Sequence, residues 1–225
     1  MSARLAVEHS TVAMGSMGLT HAPDPLRVLE NRRRFAAEAG VPVESLSVVG
    51  AVHGIEVARI DEPAPLVQGV DGLLTDSPEV SLLATFADCY PLVLFDAAHH
   101  AVALGHAGWR GTQSGIAKRL VAALGREYGS DPAETLAIIG PGICGNCYEV
   151  GPEFAGRFPA AVLKAGRAGR LLLDLREANR LQLREAGIAE DRISVVDTCT
   201  FESSELFSHR RQPDGSRFAT LAFYR

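Results

Sequence analysis

The chain has 225 residues, 47% of them hydrophobic. That is enough apolar material for a core without staples, and it excludes wholesale disorder. Lys and Arg number 22 against 27 Asp and Glu, a net charge of −5 that argues against a dedicated nucleic-acid binder.

No internal repeat, low-complexity tract or linker interrupts the sequence, so a single domain over 1–225 is expected. The four cysteines, Cys89, Cys144, Cys147 and Cys199, are too few for a disulfide framework in a chain this long. Residues 1–10 lack the apolar stretch of a secretory signal, and no run approaches the length of a membrane span. A soluble, cytoplasmic protein with no membrane partner is the expectation.

In chain order, 10–25 is rich in Ser, Gly, Thr and Pro and predicts a loop. Proline near its start and Gly40 after its end mark 25–40 as a helix. Five short runs of Val, Leu and Ile at 46–52, 55–60, 80–86, 91–95 and 101–106 predict strands. The intervening 96–100 predicts a turn that leaves His99 and His100 in solvent. Ile116, Leu120, Val121 and Leu124 recur at helical spacing, so 115–128 is an amphipathic helix. A strand at 136–139 runs into Gly140-Pro-Gly-Ile-Cys-Gly145. Asp174-Leu-Arg-Glu177 has the form of a capping box and opens a helix that Gly187 closes. Late strands are expected at 193–196 and 218–223. Strands come in runs rather than in strict alternation with helices, which points to the α+β class.

Three segments could carry chemistry: Val52-His53-Gly54, Ala87-Asp88-Cys89 and His106-Ala-Gly-Trp-Arg-Gly111. Each sets one nitrogen or sulfur donor at a strand end beside small residues. Two imidazoles and a thiolate suit zinc and leave a fourth position open, as catalytic rather than structural zinc sites do. The spacings fit no local pattern, and a buried free cysteine with two hydrogen-bonded histidines is the competing reading. The same His106 segment leads into a helix, whose first amides favour an anion. Arg110 could clamp a phosphate or carboxylate there, with Gly111 and Thr112 at the helix start. The alternative is a tight turn with Arg110 in a surface ion pair. Trp109 either stacks on a flat substrate or packs.

Two motifs are discounted. Gly140-Pro-Gly-Ile-Cys-Gly145 matches the dinucleotide fingerprint, but 146–151 predicts extended chain where a helix is needed. Cys144-Gly-Asn-Cys147 has neither a second such pair nor a βαβ frame, and predicts a loop with two free thiols.

Together with Tyr90-Pro91, Gly140-Pro-Gly-Ile143, Tyr148-Glu-Val-Gly151 and Cys199-Thr200, these segments resemble the YfiH-like family. Glu30-Asn-Arg32, Ser208-His-Arg-Arg211 and Gly215 to Arg217 extend the resemblance to both ends. Members of that family have been called multicopper polyphenol oxidases or laccases, purine nucleoside phosphorylases and a peptidoglycan editing factor. The resemblance implies an α+β fold with packed central sheets and flanking helices, similar to the cytotoxic necrotizing factor type. It implies His53, Cys89 and His106 as metal ligands and zinc as the metal, with copper as the alternative. It implies purine nucleosides and phosphate as substrates: phosphorolysis of adenosine or inosine to base and ribose 1-phosphate, and deamination of adenosine to inosine. Zinc would supply the second reaction with an acidified water. Asp88 is then a candidate proton shuttle and Arg110 the phosphate seat.

Two positions depart from the family pattern: Ala51 stands where the family has Gln, and Phe86 where it has Thr. Three other functions stay open. Copper-dependent phenol oxidation wants several metal ions, and His9, His21, His99 and His100 are not spaced as a cluster. A cysteine hydrolase, including one that edits a peptidoglycan precursor, would use Cys89 as nucleophile and His106 as base. A non-catalytic nucleoside-binding or protein-binding module is the third.

Overall fold

The β-rich middle of the chain folds into two facing sheets. A computed structural model describes residues 5–20 and 22–224. One sheet contains β1 (Leu5–His9), β2 (Leu46–Gly50), β4 (Val67–Gln68), β6 (Ser81–Phe86) and β14 (Phe218–Tyr224), in the order β1-β14-β6-β2-β4. The other contains β3 (Val57–Arg59), β5 (Gly72–Thr75), β7 (Tyr90–Asp96), β8 (Ala101–Ala107), β9 (Leu136–Ile139) and β13 (Ile193–Val195), in the order β13-β9-β7-β8-β5-β3. Three short strands, β10 (Glu149–Val150), β11 (Leu163–Ala165) and β12 (Leu171–Leu173), form a separate small sheet.

The strand sequences explain the layering. In β6, Leu82, Ala84 and Phe86 point between the sheets, where they meet Val93, Val102 and Leu104 of β7 and β8. The alternate residue Leu83 points the other way, onto Phe35, Ala36 and Ala39 of α1 (Pro25–Ala39). In β8, Ala101, Ala103 and Ala107 face α3 (Ile116–Tyr128) and α4 (Leu175–Glu185). Both faces of the central strands are therefore buried, which is why they read as continuous apolar runs rather than alternating ones. The result is a helix–sheet–sheet–helix stack of the α+β class.

The helix ends follow their sequence signals. The Asp24 side chain accepts from Arg27 N and caps α1, and Gly40 ends it at φ 77°. Asp174 accepts from Glu177 N and caps α4. Asn31 and Arg32 of α1 bind the carbonyls of Ser16 and Met17, so the Glu30-Asn-Arg32 motif ties the preceding segment to the helix. Gly72 and Gly105 are paired across β5 and β8. A Cβ on Gly105 would lie 2.3 Å from Leu120 and one on Gly72 2.8 Å from it, so the pair makes the hollow that seats α3 on the sheet.

Several expectations shift. The run at 46–52 ends as a strand at Gly50, leaving Val52 exposed, and 55–60 contracts to Val57–Arg59. β1, β5 and the three-stranded sheet were not anticipated. The segment 145–147 is a turn, and only Glu149–Val150 is extended. Asp96 holds the hairpin turn through Ala98 N and the His99 ring, and His99 and His100 are exposed as expected. Among the described residues no helix is long and apolar enough to cross a membrane.

Candidate metal centre

Three strand ends meet at one rim of the sandwich. His53 follows β2 in the first sheet, and Cys89 lies on the link from β6 to β7. His106 sits near the end of β8, paired with Pro91. The antiparallel β7–β8 register thus places the first residues of one strand beside the last of the other. One donor atom from each of His53, Cys89 and His106 can lie within 4.8 Å of the others. His53 is exposed, Cys89 half-buried and His106 buried, so the set forms a small mouth with one open side. The His53 and His106 rings stand edge to face, with centroids 4.9 Å apart.

One carboxylate organises two of these donors. Asp71, fully buried just before β5, accepts from His53 N at 2.8 Å, Gly54 N at 2.7 Å and Val52 N at 3.2 Å. The same carboxylate lies 3.3 Å from His106 Nδ1, and the Asp71 carbonyl accepts from His106 N. Burial alone would raise the Asp71 pKa. The His106 contact and the Gly54 and Val52 amides outweigh it and lower it, so the group stays ionised. With Nδ1 turned to Asp71, His106 presents Nε2 to the mouth, the usual arrangement behind a metal-binding imidazole. Sequence reasoning missed Asp71. Its only local sign was an Asp ahead of Gly72, which also describes an ordinary turn.

The space between the donors depends on Gly108. A Cβ there would lie 2.9 Å from Cys89 Sγ, 3.0 Å from His53 and 3.7 Å from His106. The hollow is the size of a small group and is lined by two nitrogen bases and a sulfur, a donor set that fits zinc or copper. Without a cation the donors act on one another. Burial would raise the Cys89 thiol, but the His106 and His53 imidazoles bring it down to about 6. Burial would lower His106, but the Cys89 thiolate and Asp71 raise it to about 9. Backbone strain sits at both flanks, with His53 at φ 62° and Asp88 at φ 84°.

The remaining sequence candidates divide. Asp88 is held on both sides: one carboxylate oxygen accepts from Thr200 Oγ1 at 2.7 Å and the other from Arg210 N at 2.6 Å. Its carbonyl accepts from Ile143 N. Thr112 is fully buried with its hydroxyl on Asn179, and its amide bonds Gly108 O within the six-residue α2 (Trp109–Ser114). Gly111 is buried against the Gly54 carbonyl. The short helix turns both residues inward, Thr112 onto Asn179 and Gly111 onto the 52–54 segment. Trp109 is half-buried and packs on Phe154 at 5.0 Å, with Arg110 and Arg157 over its ring.

Arg110 is exposed, stacked on Trp109 at 4.3 Å, and forms no carboxylate ion pair among the described residues. Arg210 lies over the Tyr148 ring at 5.1 Å. Burial raises the Tyr148 phenol to about 12; Cys89 and Asp88 push the same way, while Arg210 and Arg110 oppose them. Tyr148 thus lies between the donor set and two guanidinium groups, and it was quoted in the sequence only as part of a motif. Phe86 stacks on the His106 ring at 5.3 Å and lies beside Phe218, so this departure from the family pattern backs one of the three donors. Ala51 packs at the edge of the inter-sheet core. His9, His99 and His100 belong to neither cluster of potential ligands among the described residues, and His21 lies outside those residues.

These features define an α+β protein whose two-histidine, one-cysteine donor set at a sandwich rim is able to hold a metal ion. The family model described as multi-copper polyphenol oxidoreductase laccase matches residues 4–225, and the chain belongs to this YfiH-like family. A purine nucleoside phosphorylase of Deinococcus radiodurans is 39% identical over 191 residues, covering 84% of this chain and 73% of that protein. An adenosine deaminase from an unknown prokaryotic organism is 35% identical over 219 residues, covering 90% and 83%. The crystal structure of YfiH from Bacillus licheniformis superposes with a TM-score of 0.92 at 28% identity, covering 97% of this chain and 92% of that one. The family's named members support enzyme activity at family level.

Proposed function

We propose that this protein is a zinc-dependent purine nucleoside enzyme. It splits adenosine or inosine with phosphate into base and ribose 1-phosphate, and converts adenosine and water into inosine and ammonia. The observation that carries the reading is the meeting of His53, Cys89 and His106 near Arg110 and Arg210, which form no carboxylate ion pair among the described residues, Arg210 donating instead to the Glu149 carbonyl. The names of the relatives supply the substrate class.

Zinc held by these three residues would supply Lewis acidity and lower the pKa of a water molecule. The rest of the chemistry belongs to the chain. Asp71 fixes the His106 tautomer and the 52–54 backbone. Phe86 and Asp88 hold the walls, Asp88 by fastening Thr200 and Arg210. Arg110 offers a planar donor fork to phosphate. Tyr148 stays protonated at neutral pH and serves as a hydrogen-bond donor. The same reading treats 1–225 as one domain of a cytoplasmic protein, in keeping with four unbridged cysteines.

The test is product analysis of zinc-loaded protein with adenosine, with and without phosphate. Adenine formed only with phosphate establishes phosphorolysis, and inosine in both samples establishes deamination. No turnover in either sample overturns the reading. A second reading, a cysteine hydrolase, is favoured by the low Cys89 pKa beside His106. It requires hydrolytic activity that survives metal removal and is abolished by alkylation.

A further inference from the structure

A second donor cluster stands apart from the triad, and the topology that makes it is simple. β9 and β13 are parallel neighbours, Ile193 opposite Ala137 and Val195 opposite Ile139, so the chain leaves both strands in the same direction. The two exit segments stay together: Gly142 bridges Cys199, and Thr200 N donates to Gly142 O at 3.1 Å. On the first segment, Cys147 N and Tyr148 N both donate to Cys144 O at 3.0 Å, which folds the Cys144-Gly-Asn-Cys147 turn onto itself. On the second, Cys199 and Glu202 are one turn apart, and Ser203 N bonds Cys199 O.

Cys144, Cys147, Cys199 and Glu202 can each offer one donor atom within 4.8 Å of all the others. Two cross-segment contacts already run through these atoms: Cys144 N donates to Cys199 Sγ at 3.3 Å, and Cys147 Sγ lies 3.4 Å from Glu202 Oε1. Each of these contacts joins residues 55 positions apart, so the sequence, which offers only one C-x-x-C pair, does not reveal the set. Zinc–sulfur bonds of about 2.3 Å set the sulfurs of a tetrahedral site roughly 3.8 Å from one another. Contraction by about an ångström would close these donors on a cation. The nearby Arg211 forms no ion pair with Glu202 among the described residues; its guanidinium donates to the carbonyls of Thr200, Phe201, Ser203 and Leu206.

We propose that Cys144, Cys147, Cys199 and Glu202 form a second metal site that takes zinc in a closed, structural coordination. Four protein donors fill a tetrahedral shell and leave no place for substrate, unlike the three-donor mouth at His53, Cys89 and His106. Three soft sulfurs with one carboxylate select zinc over magnesium or calcium. The site clamps the two segments that grip Asp88: Ile143 N reaches its carbonyl and Thr200 Oγ1 its carboxylate. Metal here would therefore stiffen the wall next to Cys89 without touching substrate.

The experiment reads metal rather than turnover, so it stands or falls separately from the nucleoside reading. A His53→Ala, Cys89→Ser double variant removes the first donor set. After reduction and chelation it is titrated with Co2+ and then Zn2+. The expected result is one tightly bound Co2+ per chain with sulfur-to-cobalt charge-transfer absorption, displaced by one Zn2+. Adding Cys147→Ser or Cys199→Ser should abolish that absorption, and Glu202→Ala should weaken zinc binding by about tenfold or more. No bound metal in the double variant overturns the proposal, as does binding that survives Cys147→Ser and Cys199→Ser. Recovery of two of these thiols as a disulfide in protein purified with zinc present also overturns it. Should the cysteine variants fail to fold, the exposed Glu202→Ala variant and the stoichiometry of the double variant still decide the matter.

Discussion

The Asp71 carboxylate lies 3.3 Å from His106 Nδ1 while it accepts the backbone amides of Val52, His53 and Gly54. A single buried charge thus sets the orientation of His106 and the position of His53, though the two come from different sheets. Asp71→Asn keeps the size but loses the charge and one acceptor oxygen. It should lower zinc affinity by about 10–100-fold, as loss of a partner behind a ligand does. Competition against a chromophoric chelator measures this, and unchanged affinity would show that Asp71 serves folding alone.

Gly108 has φ −81° and ψ 172°, which alanine adopts without strain. Gly108→Ala should therefore fold normally yet fill the hollow between Cys89 and His53. Metal content and turnover should both fall by at least about a hundredfold, beyond the loss expected for Asp71→Asn. Circular dichroism and thermal melting of the metal-free proteins check that the effect is local.

The Cys89 thiol of metal-free protein falls to about 6 under His106 and His53, despite burial. Alkylation by iodoacetamide should follow the thiolate and reach half its maximal rate near pH 6, well below the midpoint of about 8.5 for an ordinary thiol. Cys144 and Cys147 are shifted upward by burial and by their thiol neighbours, so they should react later. Zinc should protect Cys89, and His106→Asn should move its midpoint up. Peptide mass mapping across pH 5–9 separates the sites.

Arg110 should matter for phosphate and little for folding, since it is exposed, stacks on Trp109 and forms no carboxylate ion pair among the described residues. Arg110→Ala should raise the KM for phosphate by roughly tenfold or more, the loss expected for a charge-assisted contact. The KM for nucleoside should change much less. Equal effects on both would place Arg110 outside the phosphate contact.

His9 carries a pKa lowered by burial to about 4, against 6.5 for the free group. Folding therefore disfavours its protonated form. The stability this neutral ring permits is present in full above pH 6.5 and is lost as pH falls toward 4, by about 2–3 kcal/mol. Urea denaturation of wild type and His9→Asn at several pH values isolates this share. The wild-type curve should fall more steeply than the variant's through that window.

The three donors that meet at the rim, His53, Cys89 and His106, were legible as candidates because each stands at a strand end among small residues, and a distinctive segment surrounds His106. Two of the helices were legible from their end signals, Pro25 with Gly40 and the Asp174 box, while the Asp24 cap went unread. The unread parts depend on distance along the chain. β1 is a strand because Leu5–His9 pairs with Phe218–Tyr224 at the other end, which no local pattern reveals. β5 is only four residues long, between a turn at Gly69 and the Asp76-Ser-Pro78 segment. Asp71 acts through backbone amides that look like any others in the sequence. The orientation of Thr112 was not legible either, because α2 is six residues long and ends at Gly115, where φ is 91°. That break turns the hydroxyl inward to Asn179 rather than outward to a ligand.

The facing glycines Gly72 and Gly105 have an effect beyond seating Leu120. Gly105 immediately precedes His106, and Gly72 immediately follows Asp71. The depth at which α3 rests on the outer face of the sheet thereby fixes how far apart that imidazole and that carboxylate stand on the inner face of the same two strands. A methyl group added under the helix would be felt as a shift between His106 and Asp71, so the spacing of the donors is set by a hollow on the far side of the sheet.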